Sequence, residues 1–172
     1  QRQMCIRDSE KLVPRIEYVS LWDFHPDPSA TSIEDCEYVI QRHRMNRQQL
    51  RALIRRPYFY KDAIEECLAK GPNYEDKYYE DTIREDDTEP YYQENRYEVL
   101  EYWGVMDAEY ARQVGMEIEE DVDDLDEVQI NAWVCNGKML RAVVNPFTPY
   151  RVPYHAFTYE KNPYSFSSTF II

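Results

Sequence analysis

The chain has 172 residues, 20 basic and 33 acidic, for a formal net charge of −13; that length suits one domain, and that charge excludes a free nucleic-acid binder of the ordinary basic kind. A hydrophobic share of 43%, with 15% aromatic residues, is enough for a core, whereas acidic disordered chains are poor in aromatics. Four widely spaced cysteines (Cys5, Cys36, Cys67, Cys135) without a CxxC pair fit a reducing compartment, and no run of about 18 apolar residues or signal-peptide core is present, so the expectation is a soluble protein made in the cytosol.

Residues 1–9 read as a non-native leader resembling translated adaptor sequence, which leaves 10–172 as a single fragment of a longer protein. From Pro14 to Phe24 the β-branched and aromatic residues predict a strand. His25-Pro26-Asp27-Pro28-Ser29 predicts a turn, with Asp27 and Ser29 supplying hydrogen bonds. A second strand is expected over Glu37–Arg44. Asn46 then caps a helix over 47–56, with Gln49 placed to complete a capping box and Leu50, Leu53 and Ile54 on one face, stopped before Pro57. A second helix covers 61–70, with Ala63, Ile64, Cys67 and Leu68 as its stripe and Gly71-Pro72 as its end.

Residues 73–95 hold nine acids, two bases and five tyrosines, the composition of an exposed acidic excursion. Tyr97–Met106 returns to strand composition, and Asp107 is placed to cap a helix over 107–114 ended by Gly115. A second acidic loop, with eight acids, covers 117–127. Val128–Val144 alternates around Asn136-Gly137, the strongest short hairpin signal. A type I′ turn would set Cys135 opposite Lys138, Val134 opposite Met139 and Trp133 opposite Leu140. Pro146, Pro149, Pro153 and Pro163 then punctuate an aromatic, extended segment lying against a sheet. The fold class is α+β, with antiparallel strands and short helices.

Three constellations carry possible chemistry. Asp23, His25 and Asp27 have the ligand types a divalent metal needs, and so offer a metal-dependent hydrolase as one reading. Asp121, Asp123, Asp124 and Asp126 invite calcium, but Leu125 and Asp126 stand where an EF-hand loop needs an oxygen ligand and a glycine. Arg42, Arg44, Arg47, Arg51, Arg55 and Arg56 form the one basic cluster, with Arg47, Arg51 and Arg55 sharing a helix face. That face suits a neighbouring subunit's acids, DNA phosphate, or intrachain pairing to the acidic loops. One basic patch and two acidic loops on one chain also suit head-to-tail self-association. Trp22, Trp103, Trp133 and the tyrosines could stack bases, yet such density is commoner in interfaces. There is no nucleophile elbow, Walker loop or dinucleotide fingerprint, and no cofactor is expected. A soluble adaptor that binds basic partners through its acidic loops is a third reading, one that predicts a monomer.

Leu21-Trp-Asp-Phe-His-Pro-Asp-Pro-Ser-Ala-Thr31, Glu37-Tyr-Val-Ile-Gln-Arg-His-Arg-Met45, Gln49-Leu-Arg-Ala-Leu53, Tyr97-Glu-Val-Leu-Glu-Tyr-Trp-Gly-Val105, Val128-Gln-Ile-Asn-Ala-Trp-Val-Cys135 and Asn145-Pro-Phe-Thr-Pro149 with Tyr154–Phe166 resemble, as a colinear set over residues 12–166, the portal proteins (head-to-tail connectors) of short-tailed bacteriophages. The resemblance implies a non-enzymatic homo-oligomeric ring of about twelve subunits at one capsid vertex. Double-stranded DNA would pass through it without sequence specificity, past an acidic lining. The partners implied are capsid and scaffolding proteins, terminase and tail adaptor proteins, with no membrane. The fragment would belong to the outer wing, upstream of the stem helix and clip. Ser167–Ile172 departs from the pattern, where glycines and a helix are expected, so the resemblance assigns no channel-lining residue.

Overall fold

The computed structural model describes residues 16–74, 95–119, 122–147, 152–158 and 169–171. Five antiparallel strands form one sheet in sequence order: β1 (Phe24–Pro26), β2 (Tyr38–Met45), β3 (Tyr97–Asp107), β4 (Glu127–Cys135) and β5 (Lys138–Val144). A separate antiparallel pair joins β6 (Ala156–Thr158) to β7 (Thr169–Ile171). Among the described residues three short α-helices accompany the strands in an α+β arrangement: α1 (Arg47–Ala52), α2 (Lys61–Lys70) and α3 (Ala108–Gln113).

Side-chain alternation divides the sheet residues between two faces. On one face, α1 and α2 cover the Tyr97 end of β3. Leu50, Leu53, Ile64, Cys67 and Leu68 meet Tyr97, Val99, Trp133, Cys135 and Leu140 there. The far end of that face is covered by Val19, Ile33 and Tyr154, which pack with Phe24, Val39 and Trp103. On the opposite face, Ala108, Ala111 and Met116 close over Val128, Ile130, Ala132 and Ala142. Each fully buried Leu or Ile contributes about 1.5–3 kcal/mol relative to exposure.

The capping box forms as expected. Gln49 N donates to Asn46 Oδ1 at 2.8 Å, and Asn46 N donates to Gln49 Oε1 at 2.8 Å. The helical path continues after Ala52 as a 3-10 turn over Leu53–Arg55, which Pro57 follows. Gly71, at φ 97°, ends α2, and its carbonyl receives Asn136 Nδ2 at 3.0 Å. The hairpin tip therefore docks on the end of α2, helped by Lys70 Nζ donating to the Asn136 carbonyl at 3.2 Å.

Four expectations are corrected. The strand expected over Pro14–Phe24 is confined to Phe24–Pro26, because Ser20 caps a 3-10 turn over Leu21–Asp23; Pro14 lies outside the described residues. The turn expected at 25–29 begins only at Asp27, since His25 and Pro26 pair with Ile40 and Val39. Pro26 is tolerated there because β1 is an edge strand. Asp107 makes no side-chain cap on α3; the carbonyls of Asp126 and Asp124 receive the Ala108 and Glu109 N–H groups at 2.9 and 3.3 Å instead.

The fourth correction concerns hairpin register. Asn136 and Gly137 both have positive φ, 53° and 74°, as a type I′ turn requires. Cys135 pairs with Lys138 and Val134 with Met139, but Trp133 then pairs with Arg141. Leu140 is the extra residue of a bulge. It is fully buried with α1 and α2, and its carbonyl accepts Tyr60 N at 2.8 Å. Most of the 73–95 segment lies outside the described residues, as do Pro149 and Pro163.

Candidate functional site

The arginine cluster divides by strand and helix periodicity. Arg42 and Arg44 alternate on β2 and turn to the face away from α1 and α2, where the 3-10 turn brings Asp23 across them. Arg42 Nε donates to Asp23 Oδ1 at 3.0 Å and its Nη2 to the Trp22 carbonyl at 2.9 Å. Arg44 Nη2 reaches both Asp23 oxygens at 2.9 Å. Glu98 stands 3.9 Å from Arg42 Nη1. Both guanidinium groups lie over the Tyr74 ring, at 5.8 and 5.5 Å. Arg42 is only 3% exposed, so these two cations are neutralised within the chain.

The helical arginines differ. Arg47 donates to the Leu68 carbonyl at 3.0 Å, tying α1 to α2. Arg51, Arg55 and Arg56 are exposed and make no ion pair among the described residues. Their aliphatic neighbours Leu50 and Leu53 face inward, so capping and stripe together point these guanidinium groups away from the core.

The 117–127 loop belongs to the other end of the sheet. β3 is 11 residues long, so about 30 Å separates the Met45–Tyr97 pair, from which α1 springs, from the Asp107–Glu127 pair that carries the loop. Glu117, Glu119, Asp123, Asp124, Asp126 and Glu127 are exposed. Arg112 pairs with Asp124, and Asp126 Oδ2 accepts Asp123 N at 3.1 Å. Asp123 Oδ1 accepts Leu125 N at 3.3 Å. These carboxylates shape their own turn, with the remaining charge facing water.

The hydrolase alternative finds no support. Asp23 is held by two arginines, and Asp27 Oδ1 accepts Ser29 N and Oγ at 2.8 and 2.7 Å. The Ser29 bonds lower the Asp27 pKa. Among the described residues, no three His, Cys, Asp or Glu side chains gather as a metal set. His25 and Asp27 are therefore parts of an edge strand and its turn.

One polar centre was not singled out in the sequence. Glu101 is 9% exposed beneath the sheet. Its Oε2 lies 2.8 Å from His43 Nε2, and its Oε1 accepts Trp103 Nε1 at 2.9 Å and Asn131 Nδ2 at 3.1 Å. His43 stacks on Trp133 with centroids 4.8 Å apart. The alternation signal was available, since Glu101 shares the inward parity of Tyr97, Val99 and Trp103. Three partners and a stacked ring make this a rigid buried network joining β2, β3 and β4. Trp22 and Trp103 stand apart from Trp133 in burial and partners: Trp22 is 37% exposed, Trp103 belongs to the Phe24–Tyr154 core, and Trp133 to the helix-side core. They do not form one stacking platform.

The described cysteines Cys36, Cys67 and Cys135 are free thiols. Burial, then the adjacent Cys67, pushes Cys135 up to about 12. Burial also raises Cys67 and Cys36. Among the described residues no helix is long and apolar enough to cross a membrane.

Comparison with known proteins yields one family. The model of the phage SU10 portal protein matches residues 1–169. No curated protein matches the chain.

Proposed function

The chain belongs to the phage SU10 portal protein family, and from that premise we propose that it forms a wing segment of a homo-oligomeric portal ring at one vertex of the capsid. The ring has about twelve copies, joined by heterologous contacts that close on themselves. Double-stranded DNA passes through it in packaging and ejection without sequence-specific contact. Terminase, tail adaptor, capsid and scaffolding proteins dock on it, and assembly takes place in the host cytoplasm. The role is structural, with no catalytic step assigned to any residue.

The observation that favours ring contacts is the charge placement. Arg51, Arg55 and Arg56 are exposed and unpaired among the described residues, while exposed acids of 117–127 crowd the far end of β3. A copy placed head to tail sets unlike charges together, which steers association of a chain whose net charge of −13 otherwise repels its copies. Arg42 and Arg44 support this face from behind by fixing β2, and Arg47 holds α1 on α2.

The test is Arg51→Glu, Arg55→Glu and Arg56→Glu together, which leaves the Arg47–Leu68 tie intact. Ring yield should drop and become insensitive to salt, while circular dichroism of the monomer stays unchanged because Leu50 and Leu53 are untouched. Normal rings from the triple variant would reduce the cluster to a solvated face.

A further inference from the structure

Two cysteines far apart in sequence meet in the helix-side core. Cys67 lies on the inward stripe of α2, Cys135 ends β4 at the hairpin tip, and each is 1% exposed. Cys67 Sγ donates to the Cys135 carbonyl at 3.2 Å, and the two thiols are within hydrogen-bonding reach of each other. Cys135 Sγ also makes a long contact, 3.9 Å, to Asn73 Oδ1, an oxygen that already accepts Glu98 N at 2.9 Å. A thiol is a weak donor, so little hydrogen bonding is lost when these two hydrogens go.

The surroundings hold the pair in place. Asn136 Nδ2 donates to the carbonyls of Cys67 and Gly71 at 3.5 and 3.0 Å. Lys70 Nζ donates to the Asn136 carbonyl at 3.2 Å, and Lys138 Nζ pairs with Glu66 Oε2 at 2.8 Å. These bonds fasten the last turns of α2 to the hairpin tip around the two sulfurs. Two elements already fixed against each other are what a cross-link without large backbone movement requires.

We infer that Cys67 and Cys135 are a modification site, a dithiol that an oxidising disulfide such as oxidised glutathione converts to an intrachain disulfide within the native fold. One cysteine thiolate attacks the S–S bond of the oxidant, giving a mixed disulfide and one released thiolate. The other cysteine thiolate then displaces the second half of the oxidant from that sulfur. The Cys67–Cys135 bond forms, the oxidant is reduced to two thiols, and these take up the two cysteine protons. Burial holds both thiols above their ordinary range, so the first exchange follows local opening of the hairpin tip, where the Lys70–Asn136 bond is exposed. Once closed, the bond links residues 68 positions apart and fixes α2 on the sheet. The inference goes beyond the ring reading and holds for a single copy of the chain.

The test uses the full chain carrying Cys5→Ser and Cys36→Ser, refolded from urea in a glutathione redox buffer so that burial cannot bar the oxidant. The intact mass should fall by two hydrogens, no thiol should remain for maleimide after denaturation, and a digest should give linked Cys67 and Cys135 peptides. The unmodified chain, mapped in parallel, should give the same linked peptides. Circular dichroism should match that of the reduced chain. The folded-to-unfolded ratio in urea should rise at least about thirtyfold, the lower end of the usual effect of a disulfide, and return with dithiothreitol. Adding Cys135→Ala should abolish both the mass loss and the reductant-sensitive shift. Free thiols at both positions, glutathione adducts in place of linked peptides, or a bond found only between two chains would overturn the inference. So would a linked form that is no more stable than the reduced chain or that has altered dichroism.

Discussion

Replacing Asp23 by Asn tests whether that carboxylate is a structural counter-ion or a ligand awaiting a metal. Among the described residues Asp23 is the one carboxylate within hydrogen-bond reach of both Arg42 and Arg44, and the side chains of the three are 18%, 2% and 16% exposed. At an effective dielectric near 20 each close ion pair is worth roughly 4 kcal/mol before desolvation. Removing one partner of a buried pair leaves an uncompensated cation and costs about 3–5 kcal/mol. Glu98 at 3.9 Å and the Trp22 carbonyl at 2.9 Å recover part of that for Arg42. Asp23→Asn should therefore lose about 2–4 kcal/mol in urea unfolding, with an unchanged slope. It should also lose the protection of β2 amides from hydrogen exchange. A loss below about 0.5 kcal/mol, within the range of ordinary surface substitutions, would refute the counter-ion reasoning.

Further outcomes follow from the same geometry. Leu50→Ala removes a fully buried side chain under α1 and should cost about 2–5 kcal/mol by chemical denaturation. Gly104→Ala would bring a Cβ to 2.7 Å from that of Tyr38 and to within 3 Å of the Tyr102 ring; a loss of about 1–3 kcal/mol is expected, with near-ultraviolet dichroism reporting the displaced tyrosines. Cys67 and Cys135 should resist iodoacetamide at about pH 8.5 in the folded chain and react on unfolding. Because folding raises the Cys135 thiol from 9.0 to about 12, its contribution is complete below pH 9 and declines as pH rises towards 12, so stability should fall across that window. A Cys135→Ser variant should flatten the fall.

How far the sequence revealed this arrangement depends on what each residue answers to. The capping box, the α2 stripe and the Asn136-Gly137 turn are local, and they form where the pattern puts them. The bulge at Leu140 is not local. Its carbonyl meets Tyr60 and its side chain meets α1 and α2, so tertiary contact overrides the two-residue period. Ile16–Ser20 has strand propensity, but the Ser20-capped 3-10 turn over Leu21–Asp23 interrupts the extended run, so the expected strand is confined to Phe24–Pro26. Asp107 lost its cap to two main-chain carbonyls of an acidic loop, a competition invisible in residue type. The arginines show the same limit. Six cations look alike in sequence, but strand alternation sends Arg42 and Arg44 to Asp23, and helix periodicity leaves Arg51 and Arg55 in water. Glu101 was readable from parity, yet its partners His43, Trp103 and Asn131 come from three strands.

The central claim is assembly into a ring. Mass photometry with negative-stain microscopy of the purified protein measures it most directly. The account predicts closed rings of about a dozen subunits around a central hole. A discrete monomer or dimer at every concentration would contradict it.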